Sequence, residues 1–412
     1  MTTVLRLSNI LLCLIPIVLL TGPFLPDLFL SLICLIFLAT ISKEKISLYF
    51  KNNFFYIFLS FNIFLIIISL FSENILHSLE SSLFYFRFSL FGFVVWYLID
   101  QNKNLIKYFF YALLVAFAYA LLDGYFQYFV KSTISGIEIS QFRLSLPFND
   151  KLILGGYLSR LFPLLVGLYI YCFNQNLRNY TFLAFLFILS DVLIFVTGER
   201  TALGLMTLST ILIIFLISDF RILRIATFLI SILFIIMITF SNSQIKQRNI
   251  DLTMTQIGIN DNSEQLKIFS KEHDSLIKTA VNMFLEKPLH GHGPNSFRKL
   301  CNKEAYKHNE YSCSTHPHHN HIQLLAETGL IGFLYSMFFF TLIIIDLIKY
   351  LFFQYFRNQI ILNNTQICIY IALLLTIWPL FPTLNFFNNW INIIYHIPLG
   401  FFLYFRYSNL DK

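Results

Sequence analysis

Stretches of about twenty mostly apolar residues recur along nearly the whole chain, and they constrain the fold more than any other feature. A helix of about that length crosses a hydrocarbon layer roughly 30 Å thick. Only 12% of the residues are charged, against about 25% in a typical soluble protein, so a soluble globular fold is excluded. The runs also lack the alternation of a membrane β-barrel. We therefore expect an all-α, polytopic membrane protein of about twelve transmembrane helices.

The positions of the runs divide the chain into three parts. We predict nine transmembrane helices within residues 1–240, a large helical loop over residues 241–327, and three further helices within residues 328–412. The predicted spans lie at roughly 7–22, 26–42, 53–72, 82–99, 105–125, 152–173, 180–197, 201–218, 222–240, 328–350, 365–382 and 389–406.

Lysine and arginine mark one side of the membrane. With the N-terminus in the cytoplasm, the cytoplasmic connections are rich in both residues, whereas the short loops at 23–25, 73–81 and 383–388 contain neither. The positive-inside rule produces this distribution. We therefore predict a bacterial inner-membrane protein with both termini in the cytoplasm and the 241–327 loop in the periplasm. The net charge of +7 follows from this topology and indicates no nucleic-acid partner.

Several charged residues are not explained by topology. Lys131, Arg143, Lys151 and Arg200 lie on the predicted periplasmic side, where they are candidates for binding an anionic ligand or are solvated loop charges. Inside the predicted spans, where ionisable groups are costly and usually functional, lie Arg87, Asp123, Arg160, Asp191 and Asp346. We expect the first four of these to line a polar chamber open to the periplasm. Alternatively, Arg87 and Arg160 pair with Asp123 and Asp191 and hold the bundle together.

Eight of the ten histidines lie within residues 241–327, and four of them fall in the segment His316–His321, just before the tenth predicted span. If a helix starts near Pro317, then His319, Gln323 and Glu327 lie on one face of it. A neutral imidazole can act as general base toward a sugar hydroxyl. The alternatives are a metal site, which the absence of an HExxH motif and of paired carboxylates disfavours, and a set of solvated interfacial histidines. We predict neither a metal nor a cofactor.

Three further features suggest a binding site. Arg200 begins the eighth span, and Arg248 begins the long loop; two guanidinium groups could hold a lipid-linked diphosphate and stabilise it as a leaving group. Gly291 and Gly293 permit a tight turn or a close approach of the backbone to a ligand. Cys301 and Cys313 lie together in the loop, where a disulfide is plausible outside the cytoplasm.

At this point the sequence resembles the O-antigen ligase and polymerase superfamily. The resemblance is carried by three stretches, Gly198–Ala202, Gly291–Phe297 and His319–Gly332; the last contains a His-Asn pair, an aliphatic stretch and Glu-x-Gly-x-x-Gly. A weaker match joins Arg143 to the Gly155–Leu158 entry of the sixth span. The motifs cover residues 140–335, and the architecture extends over the whole chain.

The resemblance implies a metal-independent, inverting glycosyltransferase of the GT-C type. It would transfer polysaccharide from undecaprenyl diphosphate to lipid A-core, with membrane lipids as its surroundings. By resemblance, His319 would be the base, chosen over His318 and His321 because it precedes Asn320, and Arg200 and Arg248 would bind the diphosphate. The expected substrate-binding residues are Arg143, Arg160, Asn320, Gln323, Glu327, Gly291 and Gly293.

Ligase and polymerase differ in their acceptor. The only other sizeable loop on the predicted periplasmic side, roughly 126–151, is short, which favours the ligase. A protein-modifying oligosaccharyltransferase would carry a larger soluble C-terminal part. A transporter of polysaccharide or lipid, a different class of protein, would distribute its charges through the membrane; the sequence also lacks the internal repeats common in transporters.

Overall fold

The computed structural model describes residues 3–138, 143–146, 153–174, 176–257 and 269–407. These residues form helices joined by short connections, and none of them forms a β-strand. The first eleven helices are α1 (Thr3–Val18), α2 (Phe24–Thr40), α3 (Lys43–Phe50), α4 (Asn53–Leu70), α5 (Ile75–Ser82), α6 (Phe86–Gln101), α7 (Leu105–Val130), α8 (Leu154–Cys172), α9 (Leu177–Val196), α10 (Arg200–Leu216) and α11 (Arg221–Ser241).

The predicted loop contains short helices, and three long or medium helices follow it. In chain order these are α12 (Ser243–Lys246), a π-helical segment at Gln247–Asp251, α13 (Leu252–Ile257), α14 (Lys271–Glu286), α15 (Phe297–Leu300), α16 (Asn320–Arg357), α17 (Asn364–Thr376) and α18 (Asn389–Tyr407). The prediction of a helical loop is confirmed for the parts of 241–327 that the structure describes.

The all-α, polytopic membrane architecture is confirmed. Within the described ranges, eight helical stretches are long and apolar enough to cross a membrane. The shorter apolar helices α2, α10 and α17, together with α18, lie where the remaining spans were predicted. The count of twelve spans and the GT-C class therefore remain predictions.

Helix α8 lies at the centre of the bundle, and almost every one of its residues is buried. It packs against α7, α10 and α17, while α18 packs along α6. A Cβ atom added to Gly167 of α8 would lie 2.7 Å from the Cβ of Cys368 on α17, so glycine permits this close approach. By contrast, α11 and most of α16 turn apolar side chains outward, as expected for helices that face lipid.

The segments predicted to share the periplasmic side meet at one end of the bundle, which we call the loop end. The Trp390 indole donates to the carbonyl of Leu19, and the Asn295 amide donates to Ser81. Lys303 of the long loop forms an ion pair with Glu73. Connections predicted to be cytoplasmic meet at the opposite end, through bonds that include Tyr49–Asp100 and Asn364–Asp219.

The predicted pairing of Arg87 and Arg160 with Asp123 and Asp191 is wrong. Arg87 instead makes a bidentate ion pair with Asp27, with contacts of 2.9 and 3.1 Å. Arg160 donates to the carbonyl of Gly156 one turn earlier on α8. The partners differ because these pairs depend on contacts between helices distant in sequence, which no local pattern encodes.

The other charges inside the helices are also satisfied within the protein. The fully buried Arg224 binds both carboxylate oxygens of Asp191, at 2.7 and 2.8 Å. Arg406 pairs with Asp346 at 2.6 Å. Asp123 accepts hydrogen bonds from the Gln127 side chain and from a main-chain amide of the following connection. These charges brace the bundle and do not form an open polar chamber.

The long loop has a small core of its own. Leu276, Met283, Phe297, Leu300 and Tyr306 pack together against the first turns of α16. A disulfide joins Cys301 to Cys313, whose Cα atoms are 5.0 Å apart. Helix α16 runs across the boundary predicted at residues 327 and 328, and it kinks at Gly329, which takes a left-handed conformation with φ of 65°.

Candidate active site

Two glycines fasten the loop to α16. Gly291 and Gly329 both have positive φ, at 67° and 65°. A Cβ atom on Gly291 would lie 2.5 Å from the nitrogen of Thr328, and one on Gly329 would lie 2.5 Å from the nitrogen of His290. Glycine is therefore needed on both sides, since a Cβ would separate the two segments. At Gly291 we expected a tight turn or a close approach of the backbone to a ligand; the structure shows that Gly291 lies against the backbone of Glu327 and Thr328.

Main-chain hydrogen bonds complete this junction. The amide of Gly293 donates to the carbonyl of Glu327 at 2.8 Å, and the amide of Leu330 donates to the carbonyl of Pro288 at 2.8 Å. A Cβ on Gly293 would meet Ser72 and Ser78. The turn therefore sits between α16 and the connection that precedes α5.

Glu327 and Gln323 do lie on one face of α16, as the helical spacing predicts, and both are fully buried. The two Glu327 oxygens accept from the amides of Asn295 (3.0 Å) and Phe297 (2.9 Å) and from the Gln323 side chain (3.0 Å). The Gln323 oxygen accepts from the amide of Phe386. These side chains hold the loop and the 377–388 connection together, which orients whatever the two segments present to a substrate.

His319 does not belong to this column, and the predicted helix start near Pro317 is wrong. The helix begins at Asn320, and His319 is its N-cap in an extended conformation. Its Nδ1 accepts from the amide of Ile322 at 3.4 Å, and its Nε2 donates to the carbonyl of Pro379 at 3.0 Å. Both ring nitrogens are therefore occupied by the backbone.

The rings of His316 and His321 also use both nitrogens, but each contacts one side-chain hydroxyl and one main-chain carbonyl. His316 contacts the Thr315 hydroxyl and the carbonyl of Thr383 through its two ring nitrogens. His321 contacts the Ser336 hydroxyl and the carbonyl of Ile377 in the same way. These rings connect the histidine segment to the 377–388 connection.

His318 is the member of the segment whose imidazole makes no hydrogen bond to any residue that the structure describes. Its backbone has φ of 54°, a strained conformation for a non-glycine residue. The ring is half-buried and lies 4.0 Å from the ring of His316 and 5.4 Å from that of His273, centroid to centroid. Burial, then the nearby His273, lowers the pKa of His318 to about 4, so the imidazole is neutral at pH 7.

Three predicted arginines come together beside Gly198, which has φ of 70°. A Cβ placed on this glycine would lie 3.3 Å from the Cγ of Arg248 and 3.6 Å from the Cγ of Arg143. Arg200, two residues on, donates to the main-chain carbonyl of Arg248 and to the side chain of Gln256. We call Arg143, Arg200 and Arg248 the arginine cluster; they come from three separate parts of the chain.

Local contacts place each member of the cluster. Gln127 of α7 donates to the carbonyl of Ser145 at 2.8 Å and accepts from its amide at 2.9 Å, which fixes the segment carrying Arg143. The Asn249 side chain donates to the carbonyl of Phe195 and so ties the π-helical segment with Arg248 to the end of α9. Arg200 is the first residue of α10.

One carboxylate balances the cluster. Glu199 accepts from the amides of Gly155 (2.7 Å) and Gly156 (3.0 Å) at the start of α8. Burial raises its pKa to about 7, while the two amides and the charges of Arg143 and Arg160 oppose that rise. Arg160 therefore lies on the α8 side of the cluster, one helical turn below the capped amides.

The Nε atoms of Arg143, Arg200 and Arg248 are buried and have no hydrogen-bond partner among the described residues, and the same is true of Arg160 and of the ion-paired Arg224. Unpaired buried donors cost free energy unless a ligand satisfies them. Burial and the charge of Arg248 lower the pKa of Arg143, while Glu199 raises it. A cluster that concentrates positive charge and leaves donors open is suited to a phosphate or diphosphate.

His273, on α14, connects the cluster to the histidine segment. Its ring faces His318, and the positive charge of Arg200 contributes to lowering its pKa, after burial as the larger cause. Sequence reasoning did not identify His273 or Glu199 as site residues: His273 belongs to no motif, and Glu199 lies within the Gly198–Ala202 stretch but was given no role there. Lys131 is exposed and donates to the carbonyl of Tyr128, and Lys151 lies outside the described residues.

Metal binding was weighed against base catalysis for the histidines. Across the described ranges, no group of three or more His, Cys, Asp or Glu side chains is arranged to hold a metal ion. His318, His273 and the arginine cluster together offer a neutral imidazole beside an open cationic surface. That combination can deprotonate a hydroxyl and stabilise an anionic leaving group.

Comparison with known proteins gives one family match. No curated protein sequence matches the chain. Residues 183–337 match the family model described as O-antigen ligase. The match runs from α9 through the arginines of α10 and the π-helical segment, the loop and the histidine segment, into α16. Over residues 183–337, the chain is therefore similar to the O-antigen ligase family.

Proposed function

We propose that the protein is an O-antigen ligase that transfers a polysaccharide from undecaprenyl diphosphate to lipid A-core on the periplasmic face of the inner membrane. The observation that carries this proposal is the arginine cluster, whose three buried Nε donors lack partners among the described residues. Three guanidinium groups gathered beside the start of α10 match the charge of a diphosphate, which a lipid carrier presents at the membrane surface.

The transfer proceeds as one displacement with inversion. An imidazole removes the proton from an acceptor hydroxyl, and the oxygen forms a bond to the anomeric carbon of the donor sugar. The bond from that carbon to the diphosphate oxygen breaks, and the electron pair leaves with undecaprenyl diphosphate. The arginine cluster stabilises the charge on this leaving group, a role that a divalent cation fills in other enzymes.

We assign the base to His318 in place of His319. His318 has a ring free of hydrogen bonds to described residues, faces His273 and is neutral at pH 7. His319, whose two ring nitrogens contact the backbone, would serve as the N-cap that sets the direction of the segment. Asn320, Gln323, Glu327, Gly291 and Gly293 would act as positioning residues in the same junction, and Arg160 would assist from below the arginine cluster.

Two observations support a periplasmic site. The Cys301–Cys313 disulfide lies in the long loop, and disulfides form and persist in oxidising compartments. The loop also meets the short connections that lack lysine and arginine, which the positive-inside rule assigns to the periplasm. With an even number of spans, both termini would be cytoplasmic.

Polymerase activity is the nearest alternative, and a transporter is the alternative from another class. Ion pairs such as Arg224–Asp191 consume the charges that a transport pathway would need, which favours the enzyme. Gel analysis of lipopolysaccharide from a deletion strain separates the remaining two. A ligase deletion leaves bare core together with lipid-linked long polymer, whereas a polymerase deletion leaves core bearing a single repeat unit.

A further inference from the structure

A crevice of about 100 Å³ runs between α4, α16, α17 and α18. Aromatic and aliphatic side chains line most of it, among them Phe58, Phe339 and Leu342, and Phe58 and Phe339 stack at 5.1 Å. The crevice lies within helices whose apolar surfaces suit the hydrocarbon layer. Its lining fits a hydrocarbon chain.

The crevice is continuous with the histidine segment. Tyr395, which lines it, accepts a hydrogen bond from the Asn320 side chain at 3.4 Å. Ser336, which also lines it, contacts Nδ1 of His321 at 2.9 Å. A chain lying in the crevice would therefore bring its head group toward the loop end, where Asn320 and His321 lie. None of these lining residues belongs to the arginine cluster, which lies beside Gly198 at the start of α10.

His396 is one of several polar residues in a lining that is otherwise mostly apolar. Its Nδ1 lies 2.7 Å from the carbonyl oxygen of Asn392, so Nδ1 carries the proton and donates. In the neutral ring, Nε2 is then an acceptor, and none of the described residues donates to it. The ring is partly accessible because it lines the crevice. An unmet acceptor is costly in a hydrocarbon environment and points to a ligand that supplies a donor.

We propose that the crevice binds a hydroxylated acyl chain of the acceptor lipid, with the chain hydroxyl donating to Nε2 of His396. The polyisoprenyl chain of undecaprenyl diphosphate has no hydrogen-bond donor along its length. The crevice therefore fits the lipid that receives the polysaccharide and not the lipid that carries it. His396 lies seven residues into α18, about 10 Å below the start of the helix. This inference rests on the proposed transfer to a lipid acceptor.

A binding experiment tests the hydroxyl contact without requiring transfer. The full chain in detergent is titrated with N-(β-hydroxymyristoyl)glucosamine and with N-myristoylglucosamine, and binding is followed by native mass spectrometry. The wild type should bind the hydroxylated compound roughly five- to tenfold more tightly, the effect of one hydrogen bond. The His396→Phe variant keeps a ring and should bind both equally. Equal binding by the wild type, or a preference retained by the variant, would overturn the proposal.

A second experiment tests the location. Leu342→Trp fills the crevice, whereas Phe338→Trp, at a neighbouring residue 43% exposed on the outer surface, is the matched control. With transfer measured, Leu342→Trp should raise KM for a hydroxyacylated acceptor and leave KM for the donor unchanged. A rise in donor KM, or equal effects of both variants, would contradict the assignment. If the wild type discriminated in binding but transferred nothing, the proposed function would fail and the lipid site would stand.

Discussion

Nε2 of His319 donates to the carbonyl oxygen of Pro379 at 3.0 Å, a contact that fixes the histidine in the protein framework. The same ring caps α16 through Nδ1. A general base needs a free lone pair directed at its substrate, and His319 has none in this arrangement. The imidazole of the adjacent His318 makes no hydrogen bond to any residue that the structure describes, and on this difference we assign His318 as the base and His319 as a positioning residue.

His318→Ala should reduce transfer by roughly 10²–10⁴-fold, the usual contribution of a general base, with normal membrane insertion. His319→Asn should retain most activity, because asparagine is a good N-cap and can accept from the same amide. The rate of transfer by both variants, measured in membranes, shows which of the two histidines is the base. An inactive His319→Asn beside an active His318→Ala would return the role of base to His319.

Arg200→Ala should lower transfer by about 10²–10³-fold, as expected when one donor to developing charge is removed. Arg200→Lys should recover only part of this loss, because lysine keeps the charge but not the planar fork. Arg357, at the C-terminal end of α16, provides a matched control for loss of a surface guanidinium. The rate of transfer, measured as a function of the concentration of the lipid-linked donor, ranks these variants. A normal rate in Arg200→Ala would show that the arginine cluster is not part of the active site.

Gly291→Ala and Gly329→Ala should both destabilise the protein strongly, because each adds strain at positive φ and a clash with the facing backbone. Gly136→Ala is a matched control: its φ is 86°, but nothing lies within 4 Å of the added Cβ. Thermal unfolding in detergent should show a much smaller shift for the control. Equal shifts of the unfolding temperature in the three variants would mean that backbone strain alone lowers stability and that the two facing segments are not closely packed.

The stability of the protein should fall as pH rises from about 4.5 to about 7 through the ionisation of Glu199. Its pKa is raised in the folded state, so over this window the folded state holds a proton that the unfolded state has lost. Stability from this group is complete below the unfolded pKa and is lost as pH passes the folded pKa. Glu199→Gln should flatten this part of the pH profile of the thermal midpoint; an unchanged slope would show that Glu199 is already ionised when folded.

The sequence was informative where the physics is local. Apolar runs predict helices because a membrane requires every backbone group to be bonded within its own segment. The loop boundary at residues 327 and 328 was predicted because polar composition ends there, and it stays a prediction, since α16 runs across it. Helical spacing also placed Gln323 beside Glu327 correctly.

The sequence was less informative where long-range contacts decide. Arg87 pairs with Asp27, and Asp191 pairs with Arg224. Each partner lies on another helix, and the sequence does not show which helices are neighbours, so the predicted pairs were wrong. His319 does not lie on the same helix face as Gln323 and Glu327, because it is the N-cap and takes an extended conformation. An error of one residue in a predicted helix start moves a side chain to another face. His273 carried no motif, and only the fold brings it to His318.

The most direct test of the proposed function is transfer by the purified full chain in lipid vesicles, supplied with polymer on undecaprenyl diphosphate and with lipid A-core, in the presence of EDTA. We predict that the polymer becomes attached to lipid A-core, and that His318→Ala lowers this attachment by roughly 10²–10⁴-fold whereas His319→Asn does not. Lengthening of the lipid-linked polymer with the core left bare would identify a polymerase. Activity that EDTA removes and zinc restores would contradict the metal-independent mechanism.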